Sequence, residues 1–161
     1  MKQSIIVFIL LVLGYVSSVA QTDQKQLAPN FSLKKEDGTT IELAKLKGKV
    51  VIVNFWATWC PPCRAEIPDF IKVQEQYKKN GLVIVGISLD QNGWPAVHAF
   101  AAKAKFNYPI VLGNDEVVQA YGGIDAIPTS FIIDKKGYIV DKQVGMLTNE
   151  TLEPKLKSLL K

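Results

Sequence analysis

Cysteine and histidine are scarce in this chain of 161 residues: it has two cysteines and one histidine. Two cysteines cannot build a disulfide-stapled scaffold. Two cysteines and one histidine cannot supply a four-ligand zinc site within one chain. Long runs of like charge are also missing. The net charge of +4 comes from scattered lysines, with no run longer than two (Lys34-Lys35, Lys78-Lys79, Lys135-Lys136). That pattern fits solvated turns and helix ends rather than a nucleic-acid surface, so no nucleic-acid partner is expected. What remains is 48% hydrophobic and 21% charged residues, an ordinary globular balance at a length that suits one domain.

The amino terminus departs from that balance. Lys2 is followed by an apolar run, Ile5 to Val16, and then by Ser17-Ser18-Val19-Ala20. Small residues at Ser18 and Ala20 place a cleavage point before Gln21, the pattern of a secretory signal peptide. An uncleaved anchor is the competing reading, although the stretch is short for a full membrane span. Residues 1–20 are therefore expected to be a signal peptide or N-terminal anchor, 21–26 a linker, and 27–161 the folded domain. Either form places the domain in the periplasm or another extracytoplasmic space.

The domain alternates strand and helix signals. Residues 31–33 and 40–42 flank Glu36-Asp37-Gly38, which predicts an N-terminal hairpin. Residues 50–57 and 82–89 are near-continuous apolar runs, as expected of strands covered on both faces. Residues 61–80 and 94–105 carry helical periodicity, with Asn80-Gly81 as a stop signal. A short strand at 109–112 and a short helix at 116–121 follow. The turn at Asp134 to Gly137 makes strands 129–133 and 138–144 antiparallel neighbours, and an amphipathic helix closes the chain at 148–160. The expected fold class is α/β, a central mixed β-sheet flanked by helices.

The chemistry concentrates at Cys60-Pro61-Pro62-Cys63, between a buried strand and a helix start. A sulfur there faces the positive end of the helix dipole, which favours thiolate at Cys60. A four-residue disulfide loop constrains the unfolded chain little, so a merely stabilising bridge is the weaker reading. Trp59 is expected to contact a partner. Glu66 lies one helical turn after Cys63 and is either a solvated helix residue or an acid acting on the cysteines. His98 is expected on the surface.

Phe55-Trp56-Ala57-Thr58-Trp59-Cys60-Pro61-Pro62-Cys63 resembles the thioredoxin active-site segment. Pro68 matches its helix-kinking proline, and Ile127-Pro128-Thr129 resembles its cis-proline loop. With the Ala28-Pro29-Asn30-Phe31 opening, the export signal and the extra segment around 92–121, residues 27–160 resemble the extracytoplasmic TlpA/ResA-like thiol-disulfide oxidoreductases. The resemblance implies a thioredoxin-like fold with an N-terminal hairpin and a central insertion. It implies Cys60 and Cys63 as the redox pair, Glu66 as an acid tuning them, and Trp59, Pro62, Ile127 and Pro128 against the substrate. It implies no metal and no cofactor. The implied partners of a monomer are protein dithiols and disulfides, apocytochrome c among them, and a membrane thiol-disulfide carrier as electron donor.

Two departures stand out: Asn54 replaces the buried aspartate of thioredoxin, and prolines fill both positions between the cysteines. A peroxiredoxin-like activity and a copper-binding assembly role are the alternatives. The first wants a threonine two residues further from the cysteine than Thr58 and a proline before the cysteine; the second wants wider cysteine spacing and a well-placed histidine. Neither pattern is present.

Overall fold

The computed structural model describes residues 25–161. The expected signal or anchor at 1–20 and most of the linker at 21–26 lie outside the described residues. The first strands of the described residues form a two-stranded hairpin, β1 (Ser32–Lys34) and β2 (Thr40–Glu42). A 3₁₀ turn over Leu43–Leu46 leads into β3 (Val50–Trp56). Then come α1 (Pro61–Tyr77), β4 (Leu82–Ser88), α2 (Trp94–Ala104), β5 (Ile110–Leu112), α3 (Asp115–Ala120), β6 (Thr129–Ile133), β7 (Ile139–Val144) and α4 (Asn149–Leu159). Most elements fall within one or two residues of the expected spans. The 3₁₀ turn has no counterpart among the sequence expectations, because LAKL carries no stop or cap signal of its own.

The main sheet has the order β5-β4-β3-β6-β7. β3 runs parallel to β4, from Val50 opposite Leu82 to Trp56 opposite Ser88. It runs antiparallel to β6, with Phe55 opposite Thr129 and Asn54 opposite Ser130. All seven β3 residues are buried because both faces of the sheet are covered. The pleat sends alternate side chains to opposite faces. Val51, Val53 and Phe55 pack with Phe31 and Leu33 of the hairpin segment and with Val117 and Tyr121. Val50 and Ile52 pack on the other face with Phe70 and Val73 of α1 and Leu152 and Leu156 of α4. Burying each such large side chain stabilises the fold by about 2 kcal/mol.

Helix α1 buries Cys63, Glu66, Ile67, Phe70, Val73, Gln74 and Tyr77, one stripe at three- and four-residue spacing. Gln74, a polar member of that stripe, ties the helix to β4: its Nε2 donates to Leu82 O at 3.1 Å, and its Oε1 accepts from Ile84 N at 2.7 Å. The antiparallel pairing of β3 and β6 has the consequence that matters most for function. The end of β3 that leads to Cys60 and the start of β6 that follows Pro128 lie side by side.

Candidate active site

Cys60 is the N-cap of α1, with Pro61 and Pro62 as the first two helical residues. Proline suits that place, since the amides there have no intrahelical acceptor. Two prolines leave Cys63 N–H as the first amide the helix can offer. It donates to Cys60 Sγ at 3.3 Å, in the manner of an oxygen side chain capping a helix. Cys60 and Cys63 form a disulfide with their Cα atoms 5.3 Å apart. On reduction the same amide and the helix dipole stabilise negative charge on Cys60.

The structure covers Cys60 more than its place at a helix start suggests. It is 3% exposed and Cys63 0%. Cys60 is buried in a cluster with Trp56, Ala57 and Ile67 against which Ile127 packs, and the Ile127 carbonyl oxygen lies 3.7 Å from Cys60 Sγ. The Ile127–Pro128 peptide bond is cis. Pro128 is buried and Ile127 half-buried, while Pro61 and Pro62 are exposed at the helix start. Trp59 projects into solvent with 65% of its surface exposed. Val144, paired with Thr129 at this end of β7, and Met146 beyond it are also exposed. Sequence reasoning missed both, because one valine and one methionine near a strand end carry no motif.

Glu66 is not a solvated helix residue. It is 1% exposed. Its Oε1 accepts from Asn54 Nδ2 at 2.8 Å, and its Oε2 accepts from Leu147 N at 2.9 Å. Asn54 Nδ2 also donates to Ser130 Oγ at 3.0 Å. Burial pushes the Glu66 carboxyl up from 4.5 to about 7, and the Leu147 amide and the Asn54 side chain pull back against that rise. A buried carboxyl therefore stands on α1, on the stripe that also buries Cys63, with Asn54 as one of its donors. Ser130 and Leu147 are members of this network that the sequence did not disclose, since both partners come from distant strands and turns.

A second polar cluster holds the turn before Cys60. Asp90, at the end of β4, accepts from Thr58 N at 3.0 Å, Thr58 Oγ1 at 2.5 Å and Ser88 Oγ at 2.7 Å. Leu89 N donates to Trp56 O at 2.8 Å beside it. Asp90→Ala removes three accepted hydrogen bonds at a buried site and leaves their donors unpaired. We expect a loss of about 2–3 kcal/mol of stability, read from urea melts of the oxidised protein. A change below about 0.5 kcal/mol would mean the turn is held by other contacts.

Among the described residues no group of three or more His, Cys, Asp or Glu side chains is placed to hold a metal ion. His98 is exposed on α2, and its Nδ1 lies 4.0 Å from Glu36.

Residues 25–142 match the model of the AhpC/TSA family. The chain is 38% identical over 126 residues to the thiol-disulfide oxidoreductase ResA of Bacillus subtilis, covering 78% of this chain and 69% of the relative. It is 37% identical over 132 residues to ResA of Bacillus anthracis, covering 82% and 76%. The crystal structure of a thiol:disulfide interchange protein of the thioredoxin family from Chlorobium tepidum TLS superimposes with a TM-score of 0.78 at 38% identity, over 86% of this chain and 98% of that one. The chain belongs to the AhpC/TSA family and is a ResA-like thiol-disulfide oxidoreductase with a thioredoxin-like fold.

Proposed function

We propose that this oxidoreductase is exported by residues 1–20 and works outside the cytoplasm as a reductase of protein disulfides, with apocytochrome c among its substrates. The observation that carries the reading is the Cys60 sulfur at the α1 N-cap beside the Ile127 carbonyl, with Glu66 buried on α1 one turn after Cys63. Reduced Cys60 attacks one sulfur of a substrate disulfide. The substrate S–S bond breaks, a bond from Cys60 to the substrate forms, and the other substrate sulfur leaves as a thiolate and takes up a proton. Cys63 gives its proton to Glu66 and attacks Cys60 Sγ, which frees the reduced substrate and restores the Cys60–Cys63 disulfide. The two electrons are replaced by the dithiol of a membrane thiol-disulfide carrier.

Trp59, Pro62, Ile127 and Pro128 form the substrate-facing rim, where backbone groups of Ile127 pair with an extended substrate. Among the described residues no helix is long and apolar enough to cross a membrane.

The deciding measurement is the reduction potential of the Cys60–Cys63 pair, with insulin-disulfide reduction and peroxide consumption assayed in parallel. A reductase is expected near the thioredoxin value of about −270 mV. A potential near the DsbA value of about −120 mV would reverse the direction to dithiol oxidation. Rapid peroxide turnover without insulin reduction would replace the reading with a peroxidase.

A further inference from the structure

A groove of about 1170 Å³ runs between α1 and α2, starting beside the dithiol at Thr58 and Pro61. Its floor is apolar, with Ile67, Ile71 and Phe100 among the lining side chains. Among the described residues its charged lining side chains are Arg64 and Lys103, and no acid joins them in the lining. The Arg64 guanidinium sits 5.5 Å from the centre of the Phe100 ring. The two helices run in the same direction away from the dithiol. Asp90, just before α2, bonds Thr58, and Asn107, just after it, donates to Ile71 O at 2.9 Å. Lys103 therefore lies toward the far end and Arg64 near the start.

Pro68, which also lines the groove, has no N–H. It removes the helical hydrogen bond that residue 68 would otherwise donate to the Arg64 carbonyl.

We propose that this groove binds the chain flanking the substrate cysteine, and that it selects an apolar segment carrying an acidic residue. The occupant follows from two features: the groove continues from the site where Cys60 bonds its substrate, and both of its charges are positive. The inference rests on Cys60 being the sulfur that attacks. The α1 segment from Pro61 to Ile71 spans about 15 Å. Lys103 is one turn past Phe100, which is level with Arg64. This places the matching acid about three extended residues from the substrate cysteine.

The test uses short peptides whose single cysteine is capped by thionitrobenzoate, so that attack by the reduced protein releases a chromophore. Apolar flanks carry Glu or Lys three residues before or after the cysteine. Rates are divided by the rate with a small symmetric disulfide, which reports the dithiol chemistry alone. In one of the two polarities the Glu peptide is expected to react about five-fold faster than its Lys counterpart at low salt. Lys103→Glu is expected to abolish or invert that preference. Lys136→Glu makes the same charge change at the opposite end of the sheet, in the β6–β7 turn, and is expected to keep it. Equal rates for Glu and Lys peptides, a preference that survives Lys103→Glu, or the same inversion by Lys136→Glu would each overturn the groove. Failure with the small disulfide as well would instead overturn the disulfide-exchange reading beneath it.

Discussion

Cys63→Ser is expected to lose more than about 10³-fold in turnover and to accumulate a covalent complex with its substrate. Cys60 holds the position at which a thiolate is stabilised: it caps α1, receives the Cys63 amide, and lies at the rim by Ile127 and Trp59. Removing Cys63 leaves that attack in place and removes the sulfur that resolves it, so the mixed disulfide persists. Serine at 63 is smaller in reach and reactivity but keeps the amide that caps Cys60. Cys60→Ser should trap nothing, because Cys63 lies one turn inside the helix, away from the N-cap where the Cys63 amide and the helix dipole stabilise a thiolate. Both variants would be recovered from the exporting cell and compared on non-reducing gels, with the adducts identified by mass spectrometry. Trapping by Cys60→Ser and not by Cys63→Ser would exchange the two roles.

Glu66→Gln should slow resolution of the mixed disulfide by about 100-fold near pH 7. With its carboxyl raised to about 7, Glu66 is half ionised at neutral pH, suited to take the Cys63 proton and later return it. The parent rate should rise with pH through about 7, whereas the Gln variant should follow only the ionisation of its own thiol. Glu66→Asp should restore part of the rate, which a purely structural role would not require.

Stability provides a second readout. A carboxyl whose folded value stands above 4.5 binds its proton more tightly folded than unfolded. Its contribution is fully present below pH 4.5 and is lost as pH rises through about 7, amounting to about 3 kcal/mol. The Gln variant lacks this slope, so the stability difference between parent and variant should shift in its favour across that window. Equal pH profiles of rate and stability in the two proteins would remove Glu66 from the mechanism.

The strands at 50–57 and 82–89 were legible because a strand covered on both faces admits almost only apolar residues. The redox pair was legible because two cysteines at helical spacing sit where a strand ends. Glu66 shows the limit. Its position lies on the same stripe as Cys63, Ile67 and Phe70, but the spacing left open whether a glutamate there is solvated or turned inward. Whether an inward glutamate is tolerated depends on donors 12 and 81 residues away, at Asn54 and Leu147. Gln74 lay on the stripe too, and was overlooked because an amide inside a helix has no motif. Asp90 escaped for a similar reason: a single aspartate after a strand is common, and its service to Thr58 appears only once β3 and β4 are paired in register.

The ladder between β3 and β6 also sets how this enzyme should fail. Asn54 and Ser130 are opposite each other in the pairing that brings the cysteine turn to the cis-proline loop, and β3 is covered along its whole length. The amides of this central pair should be among the last to exchange with deuterated solvent, opening only when the whole domain opens. A slip of one residue would turn Asn54 away from Glu66 along with every neighbour on its face. Loss of the catalytic arrangement and loss of the fold should therefore share one melting transition, and fraying at the outer strand β5 should cost no activity until that point is reached.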